Sequence, residues 1–351
     1  MTDHAVENAS VPLRWGVSLL PDLPVAQVAK LGAFAEEMGF DRCWVFDEGL
    51  ATRELYVTLT ALALCTERIE LGPGITNPYT RHPSVAASAI ASLHELSGGR
   101  AFLGLGVGGS LTLDPIGLPR DRPHQTLKEA IHTTRALFAA ERSTYEGEVF
   151  QLHQAYLEFA DPSIPIWVAG RGQRVLTSAS QLADGVSLDH IHRDFLGDQV
   201  ALIRSASADA GNQIELAYSS TLVITDADLE RVRRHMTYRL ADSPPAVKEA
   251  IGLSEADAYA LREAMVDGLD VAARLVRDEW VLPFVIHGSS AECAARILEI
   301  SDTHGLVEFT VPVPDLAVAH ETISAAAEIA ALIVSRTAST DARSRPSRCD
   351  S

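Results

Sequence analysis

Strand-like and helix-like stretches alternate along nearly the whole chain, and this restricts the fold more than any single residue does. RWGVSLL (14–20), RCWVFD (42–47), IELGPG (69–74) and AFLGLG (101–106) read as strands. So do IPIWVAG (164–170), GVSLD (185–189), IELAYSSTLVI (214–224) and LVEFTVPV (306–313). They are short, apolar and bounded by glycine, proline or acid. Between them lie apolar residues at helical spacing. In the first such stretch Val28, Leu31, Phe34, Ala35 and Met38 share a face, and Gly39 stops it. Further helices are expected at 54–66, 84–96, 124–140, from Arg174, and at 195–210, 290–303 and 315–335. YEGEVFQLHQAYLEF (145–159) has period two and reads as an excursion hairpin. Residues 226–280 read as a helical insertion between the seventh and eighth strands, interrupted by SPP at 243–245. Eight strands separated by helices predict an α/β chain folded as a (β/α)8 TIM barrel. A doubly wound open sheet uses the same alternation and is the structural alternative.

The barrel reading directs attention to the carboxyl ends of the strands, where such folds carry their chemistry. The third strand runs into LGPGITNPYTRHP (71–83), with two glycines and three prolines before a helix begins. That density forbids a regular element and shapes the backbone instead. Asp47 and Glu48 end the second strand. An acid pair there can move a proton if burial or like-charge repulsion raises one pKa, although Glu48 also suits a solvated helix start. AGRGQ (169–173) lies between strand and helix, so its N–H groups can face an anion, with Arg171 and Arg174 adding charge. GLGVGGS (104–110) has a dinucleotide-like look, but no helix is expected for another dozen residues and a tight turn explains it equally. Asp189-His190-Ile191-His192 offers His-x-His without a third ligand. No metal is expected there, and the two histidines read as lining a substrate pocket.

Composition limits the partners. The chain has 351 residues, 47% hydrophobic, enough for a large core, and a net charge of −18. Repulsion disfavours nucleic acid and anionic membrane, and no apolar run approaches a membrane span. Cys43, Cys65, Cys293 and Cys349 lack metal spacing. With no signal peptide apparent, reduced thiols in a cytoplasmic protein are expected. Residues 1–12 read as a flexible arm, 13–336 as the barrel domain and 337–351 as a disordered tail.

LGPGITNPYTRHPSVAASAIASLHELSGGRAFLGLGVGG resembles the bacterial luciferase-like (LLM class) superfamily of flavin- and deazaflavin-dependent oxidoreductases. WVFDEGLATRELYVTLTALALCTERIELGPG, YEGEVFQL, IPIWVAGRGQRVLTSASQLADGV and HGSSAECAARI extend the resemblance from about residue 14 to 335. It is nearest to the deazaflavin branch that includes methylenetetrahydromethanopterin reductase. The resemblance implies a coenzyme F420 (8-hydroxy-5-deazaflavin) oxidoreductase acting on a small organic substrate. It implies a non-proline cis peptide at Gly74–Ile75 bulging towards the cofactor ring. Cofactor contacts are expected from Asp47, from Gly74, Ile75, Thr76 and Asn77, and from Gly106 and Gly108. Phosphate contacts are expected from Ala169, Gly170, Arg171, Gly172 and Gln173. Glu48 and Asp47 are the catalytic candidates, Glu48 departing from the histidine usual in deazaflavin relatives. His190 and His192 are assigned to substrate, the 226–280 insertion to a lid, and the assembly to a homodimer or higher homo-oligomer. An FMN-dependent monooxygenase and a non-catalytic flavin-binding barrel are the alternatives.

Overall fold

The computed structural model describes residues 12–344. Eight strands form one sheet: β1 (Arg14–Leu19), β2 (Arg42–Val45), β3 (Glu70–Pro73), β4 (Leu103–Leu105), β5 (Ile166–Ala169), β6 (Gly185–Asp189), β7 (Glu215–Ser219) and β8 (Glu308–Val313). Their order is β3-β2-β1-β8-β7-β6-β5-β4, every neighbouring pair parallel. Two parallel bridges, Leu71–Ala101 and Thr76–Leu105, join the remaining edges of β3 and β4. The sheet therefore curls into a barrel, not an open doubly wound layer.

The outer ring consists of α1 (Val25–Glu37), α2 (Leu55–Cys65), α3 (Pro83–Leu96), α4 (Pro123–Phe138), α5 (Gln173–Leu182), α6 (Arg193–Asp209), α7 (Ser290–His304) and α8 (Ala319–Ser344). Alternation along β1 and β2 sends Val17, Leu19, Cys43 and Val45 into the layer beneath these helices. Burial pushes the Cys43 thiol up to about 12. The inward positions build an unexpected polar floor. The Arg42 guanidinium donates to Glu308 Oε2 at 2.7 Å and to Glu70, and stacks 4.6 Å over Trp167 and 4.9 Å over Phe102. Trp44 Nε1 and Thr310 Oγ1 both donate to Glu308 Oε1 at 2.8 Å. The buried carboxylate is thus satisfied on both oxygens, as a charge there must be.

Three local readings change. The stretch 214–224 is two pieces: β7 stays in the barrel, while Leu222–Val223 leaves it to pair with Ile286–His287. The break falls at Ser220, whose backbone N–H still donates to Thr310 while its hydroxyl donates to the Phe284 carbonyl, 3.1 Å each. Between those two short strands the insertion folds around its own core of Met236, Leu240, Leu261, Trp280 and Phe284. The chain after Gly109 turns helical at once, as Ser110–Leu113, not a dozen residues later. Finally α8 continues to Ser344, past the expected end at 335. The segment Leu316–Arg336, a short 3-10 turn running into α8, is long and apolar enough for a membrane span by length and composition. Here Ile323, Ala326, Ile329 and Ile333 are buried in the barrel's outer layer. The arm up to residue 11 and residues 345–351 lie outside the described residues.

Candidate active site

The Gly74–Ile75 peptide is cis, as the resemblance implied. What makes room for it is a set of three glycines. A Cβ on Gly74 would stand 2.6 Å from Trp44 Cβ. On Gly104 it would meet the Pro73 carbonyl oxygen at 2.0 Å, and on Gly106 the Ile75 Cδ1 at 2.0 Å. Real Cβ contacts do not come that close, so the bulge sits in a slot that only glycine leaves open. Thr76 then rejoins the barrel: its N–H donates to Gly104 O at 3.0 Å, and Gly106 N–H donates to Thr76 O at 2.9 Å. Gly74 and Ile75 remain half-buried at the mouth.

The residues after the bulge fold back on Asp47. Asn77 Oδ1 accepts from Tyr79 N and Thr80 N at 3.0 Å each, an Asx-type turn that fixes NPYT. That turn brings Arg81 home. Its Nη1 donates to Asp47 Oδ2 at 2.7 Å and its Nη2 to Glu54 Oε1 at 2.5 Å, with the guanidinium 5.1 Å over the Tyr56 ring. Thr76 Oγ1 donates to the same Asp47 oxygen at 2.6 Å. Asp47 is therefore a paired, structuring carboxylate whose Oδ2 is already used. Glu48 is different. It is half-buried, and Thr112 Oγ1 donates to its Oε2 at 3.1 Å. Burial raises its pKa, the Thr112 bond opposes this, and the Asp47 charge adds to the rise.

At the β5 end, Gly172 caps α5 and Gln173 opens it. A cavity of about 570 Å³ lies against this helix start, lined by Gly172, Gln173, Arg174, Arg122, His124 and Glu148. Arg171 is not among the residues lining that cavity; the charges that bear on it are those of Arg239, Asp189, Tyr238 and Asp242. Gly108 has φ +72° and its carbonyl accepts from Arg120 Nη1 at 3.0 Å, in the short loop that joins the end of β4 to the helix at Ser110.

The His190 ring has both nitrogens engaged. His190, buried with φ +46°, contacts Asp189 Oδ1 through Nδ1 and Thr221 Oγ1 through Nε2, both at 2.8 Å. His192 caps α6, its Nδ1 accepting from Asp194 N at 3.2 Å, and its ring packs edge-on against Phe195 and Phe284. His192 thus satisfies a backbone N–H at the start of α6, while His190 ties two side chains together. Among the described residues no group of three His, Cys, Asp or Glu side chains is arranged to hold a metal. Three site groups escape a sequence reading: Arg81, Thr112 and Arg239. Only Arg81 carried a signal, as the lone cation in the punctuated 71–83 stretch.

The pattern that defines the luciferase-like monooxygenases matches residues 10–305. The chain belongs to that family. It is 36% identical over 303 residues to the 5,10-methylenetetrahydromethanopterin reductase of Archaeoglobus fulgidus, covering 82% of this chain and 90% of the relative. The Methanolobus tindarius enzyme of the same name is 33% identical, with 83% and 91% covered. The solved coenzyme F420-dependent tetrahydromethanopterin reductase of Methanopyrus kandleri superposes with a TM-score of 0.81 at 28% identity, over 90% of this chain and 97% of that one.

Proposed function

We propose that the chain is a coenzyme F420-dependent oxidoreductase transferring hydride between the deazaflavin and a small organic substrate. The observation that carries it is the glycine-walled bulge at Gly74–Ile75 in a chain 36% identical to a methylenetetrahydromethanopterin reductase. The residues present fit the cofactor. The slot leaves the Gly74–Ile75 bulge half-buried beside three glycines, and the Gly172–Arg174 helix start offers N–H groups and a guanidinium to a phosphate. The bound cofactor would supply a carbon centre that accepts or donates hydride. The chain's own residues do the rest. Ile75 supports one face of the site, and Asp47, locked to Arg81 and Thr76, fixes the loop that carries the bulge. Glu48 holds a proton at the mouth, and the 226–280 insertion covers the substrate side and sets specificity.

Fluorescence titration of the purified protein with F420 and with FMN tests the cofactor. The expected result is tighter F420 binding, and F420 reduction or oxidation coupled to 5,10-methylenetetrahydromethanopterin or its reduced product. Equal or tighter FMN binding with oxygen-dependent turnover would instead make the chain a monooxygenase.

The same reading includes a homodimer. α2, LYVTLTALALC, carries no charged residue and is apolar all round, a composition that belongs to a helix covered on both sides. Its outer side and that of α3 leave Val57, Leu64, Val85 and Leu96 between 48% and 69% exposed. The charge-free α2 side of this patch lets two copies of net charge −18 approach each other there. Sedimentation velocity should find a dimer that Leu64→Glu dissociates. A monomeric wild-type protein at micromolar concentration would refute this face.

A further inference from the structure

The turn after β4 touches both the bulge loop and Glu48. A Cβ on Gly108 would stand 2.9 Å from Leu113 Cδ1 and 3.5 Å from Asn77 Cβ, so the turn packs against the residue that fixes NPYT. Thr112 lies in the same turn, 4% exposed, with its N–H donating to the Gly109 carbonyl at 3.2 Å. Its two branches meet the end of β2 at two points. The methyl lies against Gly49, where a Cβ would come within 3.2 Å of Thr112 Cγ2 and 3.4 Å of its carbonyl oxygen. The hydroxyl donates to Glu48 Oε2 at 3.1 Å. A β-branched side chain has few χ1 choices, and packing against Gly49 removes more of them. The direction of this donor is therefore set by the fold. The two acids after β2 then differ in kind. Asp47 Oδ2 pairs with Arg81, whereas among the described residues no cation pairs with Glu48. The other ionisable groups that bear on Glu48 are Asp47 beside it and Tyr238 in the insertion.

Resting on the hydride-transfer reading, we propose that Thr112 is a positioning residue for the reaction, pinning Glu48 Oε2 so that Oε1 carries the proton the substrate receives. In the neutral acid Oε2 accepts from Thr112 and Oε1 holds the hydrogen. The O–H bond at Oε1 breaks as the proton passes to the substrate atom on which charge builds, and the carboxylate left behind keeps its bond to Thr112. That bond is stronger to the charged form than to the neutral one. Thr112 thus aims the acid and makes it a readier proton donor.

Thr112→Val removes the donor and keeps the shape. Glu48 ¹³Cδ NMR of the full chain reads the pair without any substrate, the resonance being the one missing from Glu48→Gln. Its titration midpoint should rise by about one pH unit in Thr112→Val, the effect of losing a hydrogen bond to a charged group. In Thr112→Ser it should return. Turnover of reduced F420 with 5,10-methylenetetrahydromethanopterin reads the role. Thr112→Val should move the high-pH limb of the profile upward by the same amount and lower kcat on the plateau below it by about tenfold. F420 affinity should not change, and Thr112→Ser should restore both limb and plateau. An unmoved midpoint, a wild-type plateau in Thr112→Val, or a Thr112→Ser protein that behaves as Thr112→Val overturns the proposal. A midpoint that rises in a protein that binds no F420 would leave the Thr112–Glu48 pair standing and overturn the hydride-transfer reading, together with the role that rests on it.

Discussion

Glu48→Gln is expected to bind F420 as the wild type does and to lose about 10²–10⁴-fold in turnover, the range of general acid–base groups. The two variants share shape and volume, so a lost proton is the main difference between them. Reduction of a C=N, C=C or C=O bond leaves charge that a nearby acid must quench, and the reverse reaction needs a base. An ordinary glutamate titrates near 4.3, too low to hold a proton at neutrality. Burial and the adjacent Asp47 charge move Glu48 upward, while Thr112 stabilises the ionised form and limits the rise. The sign follows. The wild type should lose reductive activity as pH climbs through the raised pKa of Glu48, and Glu48→Gln should show no such limb. The same residue should cost stability at higher pH. The folded state binds the proton more tightly than the unfolded chain does, so stability falls as pH rises through the window between the two pKa values. Asp47→Asn should act elsewhere. Removing the charge that Arg81 and Thr76 grip loosens the 76–81 loop, so F420 binding should weaken before the chemical step does. Steady-state kinetics between about pH 5 and 9 decides this. Near-normal turnover of Glu48→Gln across that range would move the acid elsewhere. His190 and His82 are poorly placed to replace it, because His190 has both nitrogens occupied and His82 caps α3 at the surface.

Local signals carried most of the fold. Gly39 ends the first helical stretch, the period-two run at 145–159 is a hairpin, and the density of glycine and proline at 71–83 marks the bulge. Each of these is a constraint that a few neighbouring residues impose on their own backbone. What was illegible depends on register and docking. Thr112 meets Glu48 across 64 residues, Arg81 meets Asp47 across 34, and Arg239 meets Asp189 across 50. No period or spacing encodes those pairings. The polar floor was hidden for another reason. RCWV reads as an apolar strand with one flanking charge, and only closure of the barrel turns Arg42 and Trp44 inward onto Glu308. His190 and His192 look alike in the sequence, yet in the fold His190 is tied to the Asp189 and Thr221 side chains while His192 accepts from the Asp194 backbone N–H.

Gly104→Ala and Gly106→Ala should differ sharply although both crowd the same bulge. At Gly104 the added methyl would meet the Pro73 carbonyl oxygen at 2.0 Å, with Ile75 Cγ2 at 3.2 Å. A backbone carbonyl within a barrel strand cannot swing aside, so the strands must part or the bulge must be expelled. Overpacking of this kind costs 1–3 kcal/mol and sometimes more, and a backbone clash belongs at the upper end, about 3 kcal/mol or beyond. At Gly106 the obstacle is the tip of a side chain, Ile75 Cδ1 at 2.0 Å, with the Ala169 carbonyl at 3.2 Å. Rotation of Ile75 relieves it, so the expected stability loss is only about 1 kcal/mol. The rotated side chain would then stand where the cofactor ring should rest, and F420 affinity should fall by about tenfold, or 1.4 kcal/mol. Valine at position 75 lacks the offending Cδ1. Gly106→Ala combined with Ile75→Val should therefore recover most of the lost affinity, a coupling that a double-mutant cycle reads directly. Urea unfolding and F420 fluorescence titration on the four proteins measure both quantities. If Gly106→Ala bound F420 normally, or if Ile75→Val failed to restore it, the bulge would not be the surface on which the cofactor lies.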